Sequence, residues 1–349
     1  MRPSPLKPEG ICELMNVIRK HAYARAGLIG NPTDGYNGKT ISFVIRQFKA
    51  SVVLYPWDQL EILWSKQDKN RFTSLEELVN DVNLNGYYGG VRLVKATIKR
   101  FAEYCADQKI ELSEQPFSIR YDTNIPRGVG LAGSSAIVVA TLKSLMAYYD
   151  VKLPLKLQPS LARSVENEEL GIACGYQDRA IQVYEGMLYM DFGNMQSTCG
   201  YDCGQYTPLH PSILPNLFVA YDVAASKTSG SVHGPLRTRV TENEELSKTM
   251  SDIAALVPEA RQALETNDVD QLQRLINRNF DLRANLYSIN PTHKQMVEVA
   301  RSCGASAKFA GSGGAIVGCY TDESTYEKLV KALPSVNPYW QVLRPQIFA

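Results

Sequence analysis

Arg127-Gly128-Val129-Gly130-Leu131-Ala132-Gly133-Ser134-Ser135 lies a little before the middle of a 349-residue chain. Gly128, Gly130 and Gly133 fit G-x-G-x-x-G, the phosphate turn of dinucleotide-binding sheets. Gly128 and Gly133 alone fit the first half of a P-loop, but Ser134 stands where a P-loop has Lys. The stretch therefore admits a dinucleotide, a nucleoside triphosphate, or no phosphate at all.

A dinucleotide site needs a buried apolar strand before the loop, a helix after it, and an acid at the end of the following strand. Phe117, Ile119 and Tyr121 alternate with polar residues, the pattern of a half-buried strand. Ser134 to Tyr149 reads as a helix, and Asp150, the nearest acid, follows that helix directly. Only the helix requirement is met. A plain glycine turn before a buried helix explains the glycines but leaves the two adjacent serines unexplained. Hydroxyls in a first helical turn, behind glycines that bare backbone N–H groups, make an anion cradle. Ser135 can then offer oxygen to Mg²⁺ as a P-loop hydroxyl does. A triphosphate with a metal ion accounts for the stretch best, and the missing Lys must be replaced by charge from elsewhere.

The bulk numbers bound the class of protein. An apolar content of 44% supports a sizeable core in two domains or one large one. A net charge of +1, without a dense basic run, argues against a nucleic-acid partner. The seven cysteines are scattered, at 12, 105, 174, 199, 203, 303 and 319, with no C-x-x-C, as in a reduced cytoplasmic protein. No signal peptide and no membrane span is expected, since no apolar run has the needed length.

Along the chain, ISFVIRQFKASVVLYPW reads as strand, and Ser74 with Glu77 as a capping box. Val91, Val94, Ile98, Phe101, Ala102 and Cys105 mark one face of a helix. SLARSVENEELG is a helix ending at Gly171, and a domain boundary is expected within Asn194 to Pro215, rich in Gly, Cys, Thr and Pro. NLFVAYDV is a strand before the polar segment SKTSGSVHG. A long helical stretch from about Thr241 to Tyr287 is expected to break near Pro258. Helix THKQMVEVARSCG, a second glycine loop FAGSGG, strand AIVGCY, helix STYEKLVKAL and a strand at WQVL follow. Strands mixed with helix pairs indicate an α+β fold.

The segment P-R-G-V-G-L-A-G-S-S-A resembles the second motif of the GHMP kinases, usually P-x-x-x-G-L-G-S-S-A, with Ala132 where Gly is usual. Arg25 to Gly38, RAGLIGNPTDGYNG, resembles the galactokinase-type first motif. Lys308 to Gly318, KFAGSGGAIVG, resembles the third, which closes over the nucleotide through Gly311, Ser312 and Gly313. The three motifs fall in order across nearly the whole chain. NIPRGVGLAGSSAIV, GYYGGVRL, ELGIACGYQDRAIQVYEG and KFAGSGGA together are similar to the plant-type glucuronokinases, members that phosphorylate D-glucuronate at its anomeric hydroxyl.

The resemblance implies a two-domain fold, with a mixed α/β N-terminal domain over 1–205 and a ferredoxin-like C-terminal domain over 206–349. It implies ATP and Mg²⁺ as donor and cofactor, a small-molecule sugar as acceptor, and a monomer or simple homodimer. Arg127, Gly128, Gly130, Leu131, Ala132, Gly133, Ser134 and Ser135 would hold the triphosphate. Glu166 with Ser135 would hold the metal, and Glu168 or Glu169 are alternatives to Glu166. Asp178, twelve positions after Glu166 and behind Cys174-Gly175, would be the base; a helix N-cap is its plainer role. Arg25 would orient Asp178 or offset phosphate charge. Asp34 would contact sugar, or else close an Asx turn. Asn31-Pro32 replaces a Glu-His pair of galactokinases, so sugar contacts from Asn31 and from Tyr36 must differ from those to galactose. A uronate carboxylate asks for a cation: Arg127, Arg179, Arg92 or Lys227, with Lys308 available to nucleotide phosphates. Tyr87, Tyr88, Trp57 and Trp64 could line a pocket or belong to the core. Rival readings are a kinase for galactose, galacturonate, arabinose or a heptose, and an inactive sensor of ATP and sugar. Intact Arg25, Ser135 and Asp178 argue against the sensor.

Overall fold

The computed structural model describes residues 17–63, 89–224, 243–286 and 288–348. The Ser74–Glu77 capping box, Trp64, Tyr87, Tyr88 and Lys227 lie outside the described residues. Two sheets organise the rest. The first contains β1 (Ile18–Ile29), β2 (Lys39–Pro56), β3 (Glu61–Leu63), β4 (Phe117–Thr123), β5 (Met187–Thr198) and β6 (Tyr201–Leu209). Its order is β3-β4-β2-β5-β6, with β1 also paired to β2. The second contains β7 (Leu217–Asp222), β8 (Lys308–Phe309), β9 (Ala315–Cys319) and β10 (Trp340–Leu343), in the order β10-β7-β9-β8 and antiparallel throughout.

The dinucleotide reading fails on this topology. β4 leads into the glycine loop, but it is separated from β5 by antiparallel β2. β4 has a parallel neighbour in β3, but β3 precedes β4 in the chain; among the described residues no parallel pair brackets the loop, so there is no switch-point crevice for a dinucleotide.

Eight α-helices are described: α1 (Gly90–Asp107), α2 (Gly133–Tyr148), α3 (Gln158–Ser164), α4 (Gln177–Tyr184), α5 (Glu244–Glu265), α6 (Val269–Ala284), α7 (Pro291–Ser302) and α8 (Glu323–Val336). α2, the helix behind the loop, is buried continuously from Ser135 to Leu142 and packs on β1 and β2. A helix apolar all round belongs in a core, and this one fixes the loop against the first sheet.

Three expectations change. The stretch expected as a boundary is mostly the β5–β6 hairpin. Its turn is Cys199-Gly200, both at positive φ (51° and 81°), as a two-residue hairpin turn needs. The junction drawn at 205/206 thus falls inside β6. The long helical stretch does not break at Pro258: α5 runs through it, with Ile253, Val257 and Ala260 buried on one face. The break comes at Asn267, at φ 57°, and Asp268 then caps α6 by accepting from Gln271 N at 2.9 Å. On α1 the buried face carries Leu93, Thr97 and Tyr104 with Val94, Phe101 and Cys105, whereas Ala102 is exposed.

Candidate active site

Arg25 lies midway along β1 and is 5% exposed. Its Nε donates to Asp178 Oδ1 at 2.7 Å, and its Nη1 donates to Gly130 O at 2.6 Å and to Ala310 O at 3.2 Å. One guanidinium therefore ties the expected base to both glycine loops. The loops themselves touch. A Cβ on Gly311 would sit 2.0 Å from Gly130 O, and one on Gly130 would sit 2.7 Å from Gly313 O. No residue with a side chain allows that approach.

Asp178 is the second residue of α4, not its cap, which is Tyr176 without a side-chain bond. Asp34 fills that place from a distance: its Oδ2 accepts from Gln177 N at 2.9 Å. Asp34 therefore does not close an Asx turn in its own loop, but sits within hydrogen-bonding reach of the helix that carries Asp178. Gly175 makes this possible, since a Cβ there would lie 1.9 Å from Asp34 Oδ2. Burial, and then the charge of Asp178, raise the Asp34 pKa above its ordinary 3.8. Burial pushes the Cys174 thiol up to about 11, so it stays protonated and inert.

The three neighbouring acids separate because the chain after α3 makes a π turn, Val165–Glu169, an irregularity common at functional sites. Glu166 turns inward and is 1% exposed. Glu168 faces α1 and pairs with Arg100 at 3.1 Å, as Glu169 does with Lys99 at 2.6 Å. Ser134 Oγ donates to Glu166 Oε1 at 2.8 Å. Ser135 is fully buried and donates to Ala132 O at 3.1 Å. The hydroxyl beside the expected metal ligand is thus that of Ser134. Arg179 is 3% exposed; its Nε bonds Glu166 Oε2 at 2.9 Å, its Nη2 bonds the same oxygen, and Nη1 bonds Gly175 O at 3.2 Å. This engagement places Arg179 behind Glu166 instead of in open solvent.

Ser134 and Glu166 form an all-oxygen donor pair suited to a hard cation. Mg²⁺ commonly takes one or two carboxylates and completes its shell with phosphate oxygens and water. Among the described residues no group of three or more His, Cys, Asp or Glu could hold a metal without such help.

The other expected residues divide. Gly128 and Gly130 take positive φ, 70° and 72°, and Ala132 takes 63°. Leu131 is buried, and its carbonyl accepts from Arg25 N at 3.3 Å. Gly133 opens α2. Arg127 is exposed on the rim of the loop. Ser312 and Gly313 meet Gly130 across the loop contact. Asn31 is buried: its Oδ1 accepts from Lys308 Nζ and its Nδ2 donates to Phe309 O at 3.3 Å. Asn31 thus joins the first motif to the third. Tyr36 packs on Met250, Ile253, Leu282 and Leu286. Lys308 is fully buried, donating also to Gly27 O at 2.6 Å and Phe309 O at 2.9 Å.

Two residues of α6 escape the sequence reading. Asn279 Oδ1 accepts from Gly30 N at 2.8 Å and Nδ2 donates to Asn31 O at 3.2 Å. Arg283 Nη1 donates to Gly311 O at 2.7 Å. Their signal was present: polar residues four apart on the same face as Leu272, Leu275 and Ile276. Gln182 is a third, bonding Tyr23 O at 3.1 Å and Ala132 O at 2.9 Å.

Comparison with known proteins bears on the family and the fold. Residues 92–186 match the family model for the GHMP kinases N terminal domain, and residues 260–338 that for GHMP kinases C terminal. The chain is 44% identical to Glucuronokinase 1 of Arabidopsis thaliana over 308 residues, covering 86% of this chain and 84% of that one. It is 43% identical to Probable glucuronokinase 2 of the same plant, covering 91% and 88%. Among solved structures, the mevalonate kinase of Methanococcus jannaschii superposes with a TM-score of 0.70 at 19% identity, over 97% of this chain and all of that one. That likeness concerns the fold alone.

Proposed function

The chain belongs to the GHMP kinases, and from that premise we propose that it transfers the γ-phosphoryl group of ATP to the anomeric hydroxyl of D-glucuronate. It is a phosphotransferase that acts on a sugar hydroxyl. The observation that carries the mechanism is the Arg25 bridge from Asp178 to Gly130 O and Ala310 O. An acceptor group for the hydroxyl proton stands beside both loops that would hold the donor.

Phosphoryl transfer depends on positioning and on charge stabilisation more than on strong bases. Arg25 holds Asp178 Oδ1 at 2.7 Å, so the carboxylate is oriented to accept a hydrogen bond from the sugar hydroxyl and to take its proton as the bond to phosphorus forms. The proton ends on Asp178, and ADP leaves with the former bridging oxygen. The N–H groups of 128–135, at the start of α2, face the triphosphate. Mg²⁺, when bound, neutralises phosphate charge, and Ser134 with Glu166 would hold it. Arg127, exposed on the rim of the phosphate loop, is the cation we assign to the uronate carboxylate. Arg179 is engaged by Glu166.

We place the domain junction within 210–216, between β6 and β7, so that each sheet belongs to one domain. The enzyme would act in the cytoplasm, as a monomer or simple homodimer. No helix among the described residues is long and apolar enough to cross a membrane.

Phosphorus NMR of the product tests the reaction. A sugar phosphate whose phosphorus couples to the anomeric proton is expected; phosphate on any other hydroxyl, or none, overturns the assignment.

A further inference from the structure

Three consecutive carbonyls of the third glycine loop each accept from a different buried basic side chain. Phe309 O accepts from Lys308 Nζ at 2.9 Å, Ala310 O from Arg25 Nη1 at 3.2 Å, and Gly311 O from Arg283 Nη1 at 2.7 Å. The exposures of these side chains are 0%, 5% and 1%. In a trans peptide the N–H points opposite to the C=O. Turning the carbonyls of 310 and 311 toward Arg25 and Arg283 therefore turns the N–H groups of Gly311 and Ser312 the other way. The same stretch lies against the phosphate loop, where a Cβ on Gly311 would sit 2.0 Å from Gly130 O and one on Gly130 would sit 2.9 Å from Ser312 N.

Two of these side chains, Lys308 and Arg283, have no part in the mechanism above. Lys308 also reaches the first motif, at Gly27 O and Asn31 Oδ1. Arg283 stands on α6 four residues after Asn279, which grips the first motif at Gly30 N and Asn31 O. One face of α6 therefore holds two loops in register, and the Arg283 guanidinium packs 5.3 Å from the Phe309 ring centroid. Buried Arg and Lys side chains are rare unless their donors find partners, because desolvation is costly; burial and the neighbouring Arg283 and Arg25 push the Lys308 pKa well down. Here their partners are backbone carbonyls of a loop at the site.

We infer that Arg283 and Lys308 are positioning residues for the phosphoryl donor: they hold the third glycine loop by its carbonyls against the phosphate loop at Gly130. The inference rests on the reading of that loop as part of an ATP site. It assigns Arg283 no contact with sugar or with the reacting atoms.

The test uses the full-length protein, with MgATP affinity measured by calorimetry in the absence of sugar, KM for both substrates, and Tm. Arg283→Gln should weaken MgATP binding about ten- to a hundredfold, the scale of a lost hydrogen bond from a charged donor. The KM for sugar should change by less than about threefold. Arg283→Lys, which keeps a donor, should recover much of the loss, and Lys308→Met should show the same asymmetry. MgATP affinity within about threefold of wild type, or parallel losses for both substrates with a fallen Tm, would overturn the inference. If Arg283→Gln does not fold, Arg283→Lys and Lys308→Met decide it: unchanged affinity in both is contrary. A wild type that binds MgATP but phosphorylates no sugar contradicts the proposed function and leaves this inference standing. An active wild type whose variants bind MgATP normally contradicts this inference alone.

Discussion

Asp178 Oδ1 and Arg25 Nε lie 2.7 Å apart, an ion pair that joins helix α4 to strand β1 between the two glycine loops. The arginine side chain is 6% exposed and the aspartate 22%. A pair this buried adds little net stability, because desolvating both charges offsets their attraction. Its geometry is what matters: Arg25 holds one carboxylate oxygen, Arg179 Nη1 stands 3.9 Å from the other, and the carboxylate is still partly exposed toward the place of a hydroxyl.

Asp178→Asn keeps the size and removes the charge. The expected outcome is a fall in kcat of about two to four orders of magnitude, the scale of a lost general base, with MgATP binding retained by calorimetry. Turnover at the wild-type level would make Asp178 a structural residue.

The two loop serines should behave differently. Ser134→Ala removes the hydroxyl at Glu166 and should weaken Mg²⁺-dependent ATP binding by about tenfold, a hydrogen bond's worth. Ser135→Ala removes a buried bond to Ala132 O and should lower stability by about 1 kcal/mol with less effect on affinity. Metal titrations of both variants, read beside urea unfolding, separate them; the reverse pattern would return the metal to Ser135.

Asp34 gives a pH signature. Its folded pKa is raised above 3.8 by burial and by Asp178, so the unfolded chain loses this proton first as pH climbs. The native state then binds more protons across the window between 3.8 and the raised value, and stability falls with rising pH there. Wild type should therefore be most stable relative to Asp34→Asn at the acid end of that window and lose ground through it. Urea unfolding of both proteins across that range checks this, and a difference that grows with pH contradicts it.

Ala132 occupies φ 63°, ψ 45°, where a Cβ costs about 1–2 kcal/mol. Ala132→Gly relieves that strain against a smaller loss of unfolded-state restriction, so stability should rise by about 0.5–1 kcal/mol. Thermal unfolding reads the change. A drop would mean that the alanine methyl contributes packing greater than its strain.

Much of this was legible in the sequence. The glycine loop, the helix behind it and the strand before it followed from local pattern, and the Glu166 to Asp178 spacing drew attention to a segment that does meet Arg25 and Ser134. What stayed hidden depended on distant partners. Asp34 bonds a helix that begins 143 positions later, and no short-range pattern encodes that. Arg179 and Glu166 looked like separate functional charges until the π turn brought them into contact. The β5–β6 hairpin was obscured because a half-exposed edge hairpin has linker-like composition. Asn279 and Arg283 hid as two polar residues on an otherwise apolar face.

The central claim is that this kinase is built for a uronate. Arg127 at the loop rim favours a carboxylate over a neutral hydroxymethyl group, so glucuronate should be preferred over glucose by about ten- to a hundredfold, the scale of a hydrogen bond to a charged group. The decisive measurement is ADP release by the wild-type enzyme, as kcat/KM, with D-glucuronate and D-glucose side by side. A strong preference for glucuronate is the expected result. Glucose or galactose turned over as well as glucuronate would contradict the uronate assignment and leave a GHMP kinase for another sugar.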